Sequence, residues 1–169
     1  MPIRLEPFAE KHLGLQLDAL IADPDTHRFT RVPVSPPPDF PQIWLGRYEQ
    51  GRRDGTREAF AICDENGEFL GLTMAPRIGR ESRTAELGYV LSPAARGRGI
   101  ATEALRLTSE WAFGEGMLRL ELLISADNAA SKRVAARAGY LFEGVMRFTH
   151  LKADLRGDTE IWSRLPTDP

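Results

Sequence analysis

The chain has 169 residues, a formal net charge of −2 and a single cysteine, which together fit one globular domain in a reducing compartment. The slight acidic excess disfavours nucleic acid as a partner. No apolar run approaches the length that crosses a bilayer, and the amino terminus lacks the pattern of a signal peptide. We therefore predict a cytoplasmic protein with no membrane partner and one domain over residues 1–169.

The first third of the chain carries strand, helix and loop signals in turn. The stretch "IRLEPF" alternates apolar and polar residues and predicts a strand, and leucine spacing predicts a helix over residues 9–21. Five prolines lie between Pro33 and Pro41, so residues 22–41 are predicted to be a loop that crosses or lines a binding site. A second helix is predicted to close at Gly55.

The rest of the chain predicts a mixed sheet. "REAFAICDENGEFLGLTMAPRIG" is a hairpin around Asn66-Gly67, and "RTAELGYVLSP" is a further strand. A helix over residues 100–113, the strand "LRLELLIS" and a short helix capped by Asn128 follow, and two strands close the chain. A strand, a helix and a strand in succession predict a parallel crossover. Helices are therefore expected on both faces of the sheet.

The stretch Arg96-Gly97-Arg98-Gly99 stands directly before the predicted helix. A helix start exposes unpaired backbone N–H groups, and glycines let a ligand come close to the backbone. The two arginines add positive charge that pairs well with phosphate oxygens. The stretch therefore predicts a phosphate site, although a glycine-loosened surface loop that happens to carry arginines has the same composition.

Other phosphate motifs fit this stretch poorly. A Walker loop needs Gly-Lys-Ser/Thr, which the chain lacks, and a dinucleotide fingerprint needs a third glycine where Thr102 stands. A nucleotide-phosphate binder of another fold is kept as an alternative, and it would bind ATP or NAD in place of coenzyme A.

Two segments carry a resemblance to a known family. "LSPAARGRGIATEAL" resembles the acetyl-CoA-binding motif of the GNAT N-acetyltransferase superfamily, with Arg96, Gly99 and Ala101 at the matching positions. "NAASKRVAARAGYLFEG" resembles the second family signature through Asn128 and Ser131. The Glu-Gly pair that ends it and the later "RGDTEIWSRL" are similar to the RimJ/RimL branch.

The resemblance implies a fold, an activity and a cosubstrate. The fold is α/β (α+β): a central mixed, mostly antiparallel sheet of about seven strands, flanked by four helices, with a splayed parallel pair at the acetyl-CoA site. The activity is transfer of an acetyl group from acetyl-CoA to a primary amine, directly within a ternary complex and without a metal. The acetyl-CoA-binding residues that it implies are Val90, Leu91, Ser92, Arg96, Gly97, Arg98, Gly99, Ile100, Ala101, Thr102, Asn128 and Ser131.

Acetyl transfer requires an amine that has lost its proton and a group that protonates the departing thiolate. Glu86, on the strand before the loop, is the candidate base; the alternative is an ordinary solvent-facing carboxylate. Ser131 is the candidate acid; the alternative is a serine that only caps its helix. Many family members carry a tyrosine where this chain has Ala135. That departure leaves Ser131, as in RimL-like members.

Several questions stay open at this level. His12, His27 and His150 show no metal-ligand spacing, and Asp158 either binds a cationic substrate or caps a turn. The acceptor is a protein amino terminus or a small amine such as an amino acid, a polyamine or an aminoglycoside. A module that binds coenzyme A without catalysis is an alternative to an enzyme. By family analogy, the closing strands could support a homodimer.

Overall fold

A seven-stranded sheet forms the centre of the computed structural model, which describes residues 1–169. The strands lie in the order β1-β2-β3-β4-β5-β7-β6. In chain order the elements are β1 (Ile3–Pro7), α1 (Leu15–Ala22), α2 (Pro24–Phe29), α3 (Phe40–Asp54), β2 (Glu58–Asp64), β3 (Phe69–Gly79), β4 (Thr84–Leu91), α4 (Ile100–Gly114), β5 (Arg119–Ser125), α5 (Ala129–Arg137), β6 (Leu141–Lys152) and β7 (Leu155–Arg164), with short 3-10 turns at Glu10–His12 and Pro93–Ala95.

The predicted strands are all present, but the prediction of four helices was wrong. Five α-helices form, because α2 lies inside the segment predicted to be a loop. The Asp23 carboxylate accepts a hydrogen bond from the Thr26 N–H at 2.9 Å, and Pro24 occupies the first helical turn. This capped start stabilises a helix of six residues, too short to show a periodic pattern in the sequence. None of the helices combines the length and apolar character needed to cross a bilayer.

The parallel pair in the middle of the sheet is short. Strand β4 pairs with β5 only over Thr84–Glu86, opposite 119–121, whereas every other neighbouring pair is antiparallel. Beyond Glu86 the two strands carry no ladder between them, so the predicted mixed, mostly antiparallel sheet with a splayed parallel pair is confirmed. The backbone of β4 that faces this gap has no β-sheet partner there.

The two faces of the sheet bury separate cores. On β4, Val90 packs into the cluster formed with α1 and α3, while Leu87 packs into the cluster formed with α4 and α5. Successive side chains of a strand point to opposite faces. Glu86 therefore shares the α3 face with Val90, and Tyr89 shares the α4–α5 face with Leu87.

A β-bulge on β3 adjusts the register beside the gap. Met74 lies opposite Gly88 and Arg77 lies opposite Glu86, so β3 carries one residue more than β4 between these pairs. Pro76 falls within the bulge, where the missing N–H of proline costs no ladder bond. The bulge places the Arg77 side chain beside the Glu86 carboxylate.

Candidate active site

A cavity of about 640 Å³ opens where β4 and β5 separate. Its lining includes Arg31, Tyr48 and Glu86 from the α3 face and Tyr89 and Ser131 from the α5 face. The volume lies within the range of small-molecule sites. Because the β4–β5 ladder ends at Glu86, the cavity passes through the sheet and connects its two faces.

The Arg-Gly stretch forms an open turn in front of α4. Gly97 and Gly99 adopt φ values of +73° and +77°, which only glycine adopts readily. A Cβ added at either position would meet no atom within 4 Å, so the space above the turn is free. Gly99 is the N-cap of α4 and offers no side-chain bond, which leaves the first amides of the helix without a side-chain partner. These features fit the phosphates of a coenzyme A molecule.

The two arginines of the stretch have different surroundings. Arg96 donates to the Asp23 carboxylate at 2.6 Å and to the Leu91 carbonyl at 3.1 Å, so its guanidinium ties the start of α2 to the end of β4. Arg98 is exposed and contacts the sulfur of Met1 at 3.4 Å. Contact of either guanidinium with phosphate stays a prediction.

The remaining predicted cofactor residues near α4 are available mainly through their backbone. The side chains of Ile100, Ala101 and Thr102 are buried, as is that of Leu91. Ser92 donates from both its N–H and its hydroxyl to the Leu70 carbonyl of β3, at 2.9 and 3.0 Å.

Ser131 lies in a small polar network at the start of α5. Its Oγ accepts a hydrogen bond from the Tyr89 hydroxyl at 2.9 Å and another from Asn128 Nδ2 at 3.1 Å. The Asn128 Oδ1 accepts from the Ser131 N–H at 3.1 Å, which confirms Asn128 as the N-cap. Because Ser131 Oγ is an acceptor in both bonds, its own proton is free to be donated into the cavity.

Tyr89 is a site residue that the sequence analysis did not identify. Burial raises the pKa of its phenol to about 12, so the hydroxyl keeps its proton at neutral pH and stays a donor to Ser131. The alternation of side chains along β4 puts position 89 on the face covered by α5. Its partner Ser131 lies 42 residues further along the chain, so no local sequence pattern indicates this contact. A phenol thus reaches the cavity from β4, whereas α5 itself carries no tyrosine.

Glu86 is buried, and the alternative of a solvent-facing carboxylate is therefore wrong. Its Oε1 accepts from Arg31 at 2.6 Å, and its Oε2 lies 3.3 Å from Arg77. Each carboxylate oxygen has a second lone pair that neither arginine uses. Neither arginine was identified from the sequence, because the Arg31 contact spans 55 residues and the Arg77 contact depends on the bulge.

Part of the segment predicted to line a binding site does line the cavity: the end of α2, the three residues after it and the first residue of α3. These are residues 29–32 and Phe40, whereas the prolines on which the prediction rested lie outside the lining. Strand β6 holds this segment in place: His150 Nε2 lies 3.0 Å from the Arg28 carbonyl, and Lys152 donates to the Val32 carbonyl. Burial lowers the pKa of Lys152.

Asp158 and His27 hydrogen-bond backbone groups outside the cavity. The Asp158 carboxylate of β7 accepts from the Phe148 N–H at 2.9 Å, at the register shift in β6, so its partner is a strand residue and not a turn. His27 hydrogen-bonds the Ile21 carbonyl, and neither Asp158 nor His27 lines the cavity.

Three side chains outside the cavity have metal-ligand chemistry. The ligand atoms of Glu6, His12 and Cys63 lie within 4.8 Å of one another. However, Glu6 already pairs with Arg4 and Lys11, and His12 Nδ1 accepts the Ala9 N–H. The proton of the neutral imidazole therefore resides on Nε2, the nitrogen 3.4 Å from Glu6. The two cations beside Glu6 and the proton on His12 Nε2 both oppose binding of a metal ion at this cluster.

Comparison with known proteins agrees with this geometry. Residues 3–141 match the family model described as "Acetyltransferase (GNAT) domain". The ribosomal-protein-serine acetyltransferase of Escherichia coli is 30% identical over 112 residues, which cover 66% of this chain and 62% of that relative, less than two thirds of its length.

Solved structures share the fold over nearly the whole chain. RimL, described as a ribosomal alpha-N-protein acetyltransferase and solved in complex with coenzyme A, superposes with a TM-score of 0.86 at 20% identity, covering 96% of this chain and 93% of that one. The spermidine N-acetyltransferase of Vibrio cholerae, in complex with CoA and spermine, superposes with a TM-score of 0.83 at 16% identity, covering 98% and 96%.

Proposed function

Because this chain belongs to the GNAT acetyltransferase family, we propose that it transfers an acetyl group from acetyl-CoA to a primary amine. The observation that carries the proposal is the cavity at the β4–β5 gap. It brings the Tyr89–Ser131 pair on one face of the sheet into the same space as Glu86 on the other. A cosubstrate and an acceptor could therefore meet there from opposite faces.

Acetyl-CoA supplies the acetyl group as a thioester. The amides from Gly97 to Thr102 would hold its pyrophosphate at the start of α4, and the unpaired edge of β4 would bind the pantetheine arm. The backbone N–H groups of Val90 or Leu91 are the proposed donors to the oxyanion. Asn128 would contact the arm through the second N–H of its Nδ2 or the second lone pair of its Oδ1, which its bonds to Ser131 leave unused.

Two side chains are proposed to handle protons. Glu86 would take the proton from the incoming amine, directly or through water, because it is the carboxylate that lines the cavity. Ser131 would donate its free hydroxyl proton towards the departing sulfur, with Tyr89 and Asn128 holding the oxygen in position. Tyr89 acts through Ser131 and is therefore a positioning residue.

The proposal favours direct transfer in a ternary complex. The only thiol of the chain, Cys63, is buried in the α1–α3 core and does not line the cavity. Burial also raises its pKa, which lowers the thiolate fraction at neutral pH. A covalent acetyl-cysteine step at this residue lacks both access and an activated nucleophile.

The acceptor is proposed to be a protein amino terminus or a small amine. The Escherichia coli relative is named for a ribosomal-protein serine, and the Vibrio cholerae structure holds spermine. The alternative, a sensor or scaffold that binds coenzyme A without catalysis, needs neither Glu86 nor Ser131 to work.

Thermal melts with acetyl-CoA, ATP and NAD in parallel would test the cosubstrate. At about 100 times Kd, a ligand adds about 2.7 kcal/mol to the free energy of unfolding, which raises Tm by roughly 5–10 °C for a chain of this size. We expect this rise with acetyl-CoA alone. A thiol-release assay with an amine panel then separates an enzyme from a binding module. A rise with ATP or NAD and none with acetyl-CoA would contradict the proposal.

Glu86→Gln is expected to lower kcat/KM about 10²-fold at pH 7, the lower end of the usual contribution of a general base. The deficit should shrink above about pH 9, because more of the amine is then already deprotonated. Full pH profiles of kcat/KM would measure this. The matched control is Glu121→Gln, whose carboxylate lies in register with Glu86 on β5 but binds Arg119. A deficit that is constant across pH would assign Glu86 to holding Arg31 and Arg77.

The predictions of a cytoplasmic location and of a homodimer rest on the sequence and on family analogy. Strand β6 is an edge strand of the sheet and carries exposed apolar side chains, which supports the proposal of a dimer contact there. These are Leu141, Phe142, Val145, Phe148 and Leu151.

A further inference from the structure

We propose that the acceptor carries an anionic group, a carboxylate or a phosphate, at a distance from its reactive amine, and that Arg47 and Arg57 bind this group. The inference rests on the proposed function, because it assigns a substrate class to the same cavity.

The first observation is the charge of the cavity lining. Four cationic side chains line it, whereas Glu86 is its only carboxylate, so three positive charges are not balanced within the lining. The four are Arg31, Arg47, Arg57 and Lys152.

The second observation is that the excess charge has no partner nearby. Arg31 is paired with Glu86, whereas Arg57 donates only to the Pro76 carbonyl, at 3.2 Å. Neither Arg47 nor Arg57 has a carboxylate within 4.0 Å. Arginines often bind carboxylate or phosphate groups through two parallel N–H···O bonds. Two such groups facing one cavity are therefore equipped to bind an anion.

The third observation is that these arginines converge. Arg31, Arg47 and Arg57 line the same cavity as the buried Tyr48 of α3. Arg47 stands on α3 itself, and the Arg57 side chain lies against Gly51 of that helix. Arg31 reaches Glu86, on the face of β4 that α3 covers. They form a single positive region on the α3 face of the sheet.

The position of this region sets the spacing between the two groups of the acceptor. Arg57 directly precedes β2, and β3 lies between β2 and β4, so the Arg57 backbone is roughly 10 Å across the sheet from the strand of Glu86, the proposed base. An amine near Glu86 and an anion near Arg47 and Arg57 must therefore be several bonds apart. A peptide amino terminus with acidic residues at its second and third positions meets this requirement, as does a small amine with a distal carboxylate. A polyamine would instead add positive charge to a cavity that already has an excess.

The test compares acceptors of equal backbone length that differ in charge. The peptide arm uses Ser-Glu-Glu-Ala, Ser-Ala-Ala-Ala and Ser-Lys-Lys-Ala, each amidated at its carboxyl terminus; the small-molecule arm uses 6-aminohexanoate and 1,5-diaminopentane. Binding to the CoA-loaded protein is measured by calorimetry and turnover by thiol release. We expect the acidic acceptor of one arm or both to bind at least 10-fold tighter than its basic counterpart, and the preference to weaken with salt. The arm that shows the preference identifies the source of the anion.

Arg47→Gln and Arg57→Gln are expected to lower affinity for the preferred acidic acceptor about 10-fold each and to leave that for Ser-Ala-Ala-Ala unchanged. Arg53→Gln is the matched control, because Arg53 is exposed on the same helix and bonds only Gln50. Equal or tighter binding of the basic acceptors in both arms would overturn the inference. So would equal losses on acidic and neutral peptides in the Arg47 and Arg57 variants. Charge-selective binding without turnover would support the inference while contradicting the proposed function, so the two failures are distinguishable.

Discussion

In the Gly99→Glu variant, acetyl-CoA is expected to lose its stabilising effect on thermal unfolding. Gly99 is the N-cap of α4, and the space beside it is open, so a glutamate side chain fits without a clash. Its carboxylate would stand where the amides of the turn face the pyrophosphate, and like charges repel. The fold itself should bear only the strain of a side chain at a positive φ, about 1–2 kcal/mol.

The measurement is the difference in Tm with and without acetyl-CoA. The expected rise of roughly 5–10 °C in the unchanged protein should fall to zero in the variant. Gly114→Glu serves as the control, because it places the same side chain in open space at the other end of α4. Gly99→Ala separates backbone strain from charge and should keep most of the shift. An undiminished shift in Gly99→Glu would remove the turn from the acetyl-CoA site.

Ser131→Ala is expected to lower kcat by about 10²-fold, the lower end of the usual contribution of a general acid, with acetyl-CoA affinity changed only a few-fold. The Ser131 hydroxyl is the only hydroxyl that the Tyr89–Asn128 network leaves with a free proton facing the cavity. The N-cap bond to the Ser131 N–H is unaffected, so α5 should keep its start. Steady-state kinetics and a separate acetyl-CoA titration would check the two halves of the expectation.

The chain offers a matched control for this experiment. Ser109 and Tyr140 form a second serine–tyrosine pair, 2.8 Å apart and buried, that does not line the cavity. Ser109→Ala should lower Tm and leave kcat unchanged, whereas Tyr89→Phe should lower kcat less than Ser131→Ala because it removes only a positioning bond. If Ser131→Ala loses no more activity than Ser109→Ala, Ser131 has only a structural role at the start of α5.

The sequence predicted most of the local structure correctly, because local structure depends on residues close in the chain. The Asn66-Gly67 turn, the glycines before α4 and the Asn128 cap each act within a few residues, and all lie where they were predicted. The error at α2 has the same origin. Prolines over residues 33–41 dominated the pattern, while the helix depended on one cap at Asp23.

The sequence did not predict how the side chains of the candidate site combine. The Arg31–Glu86 contact spans 55 residues and the Tyr89–Ser131 contact 42. Arg96 was predicted to face phosphate, and 73 residues separate it from the Asp23 carboxylate that it binds. No local pattern encodes such pairs, because each arises when two elements pack on opposite sides of a strand or across a gap.

The sequence by itself thus determined most of the elements, the glycine turn before α4 and the family, since these follow from backbone conformation and short motifs. Only the tertiary structure decided what surrounds the reacting groups. The early end of the β4–β5 ladder opened a cavity through the sheet. The packing of α3 against the sheet then brought Arg47 and Arg57 into the same cavity lining as Arg31. The net charge of the cavity lining comes from residues that are far apart in the sequence, and only folding brings their side chains close together.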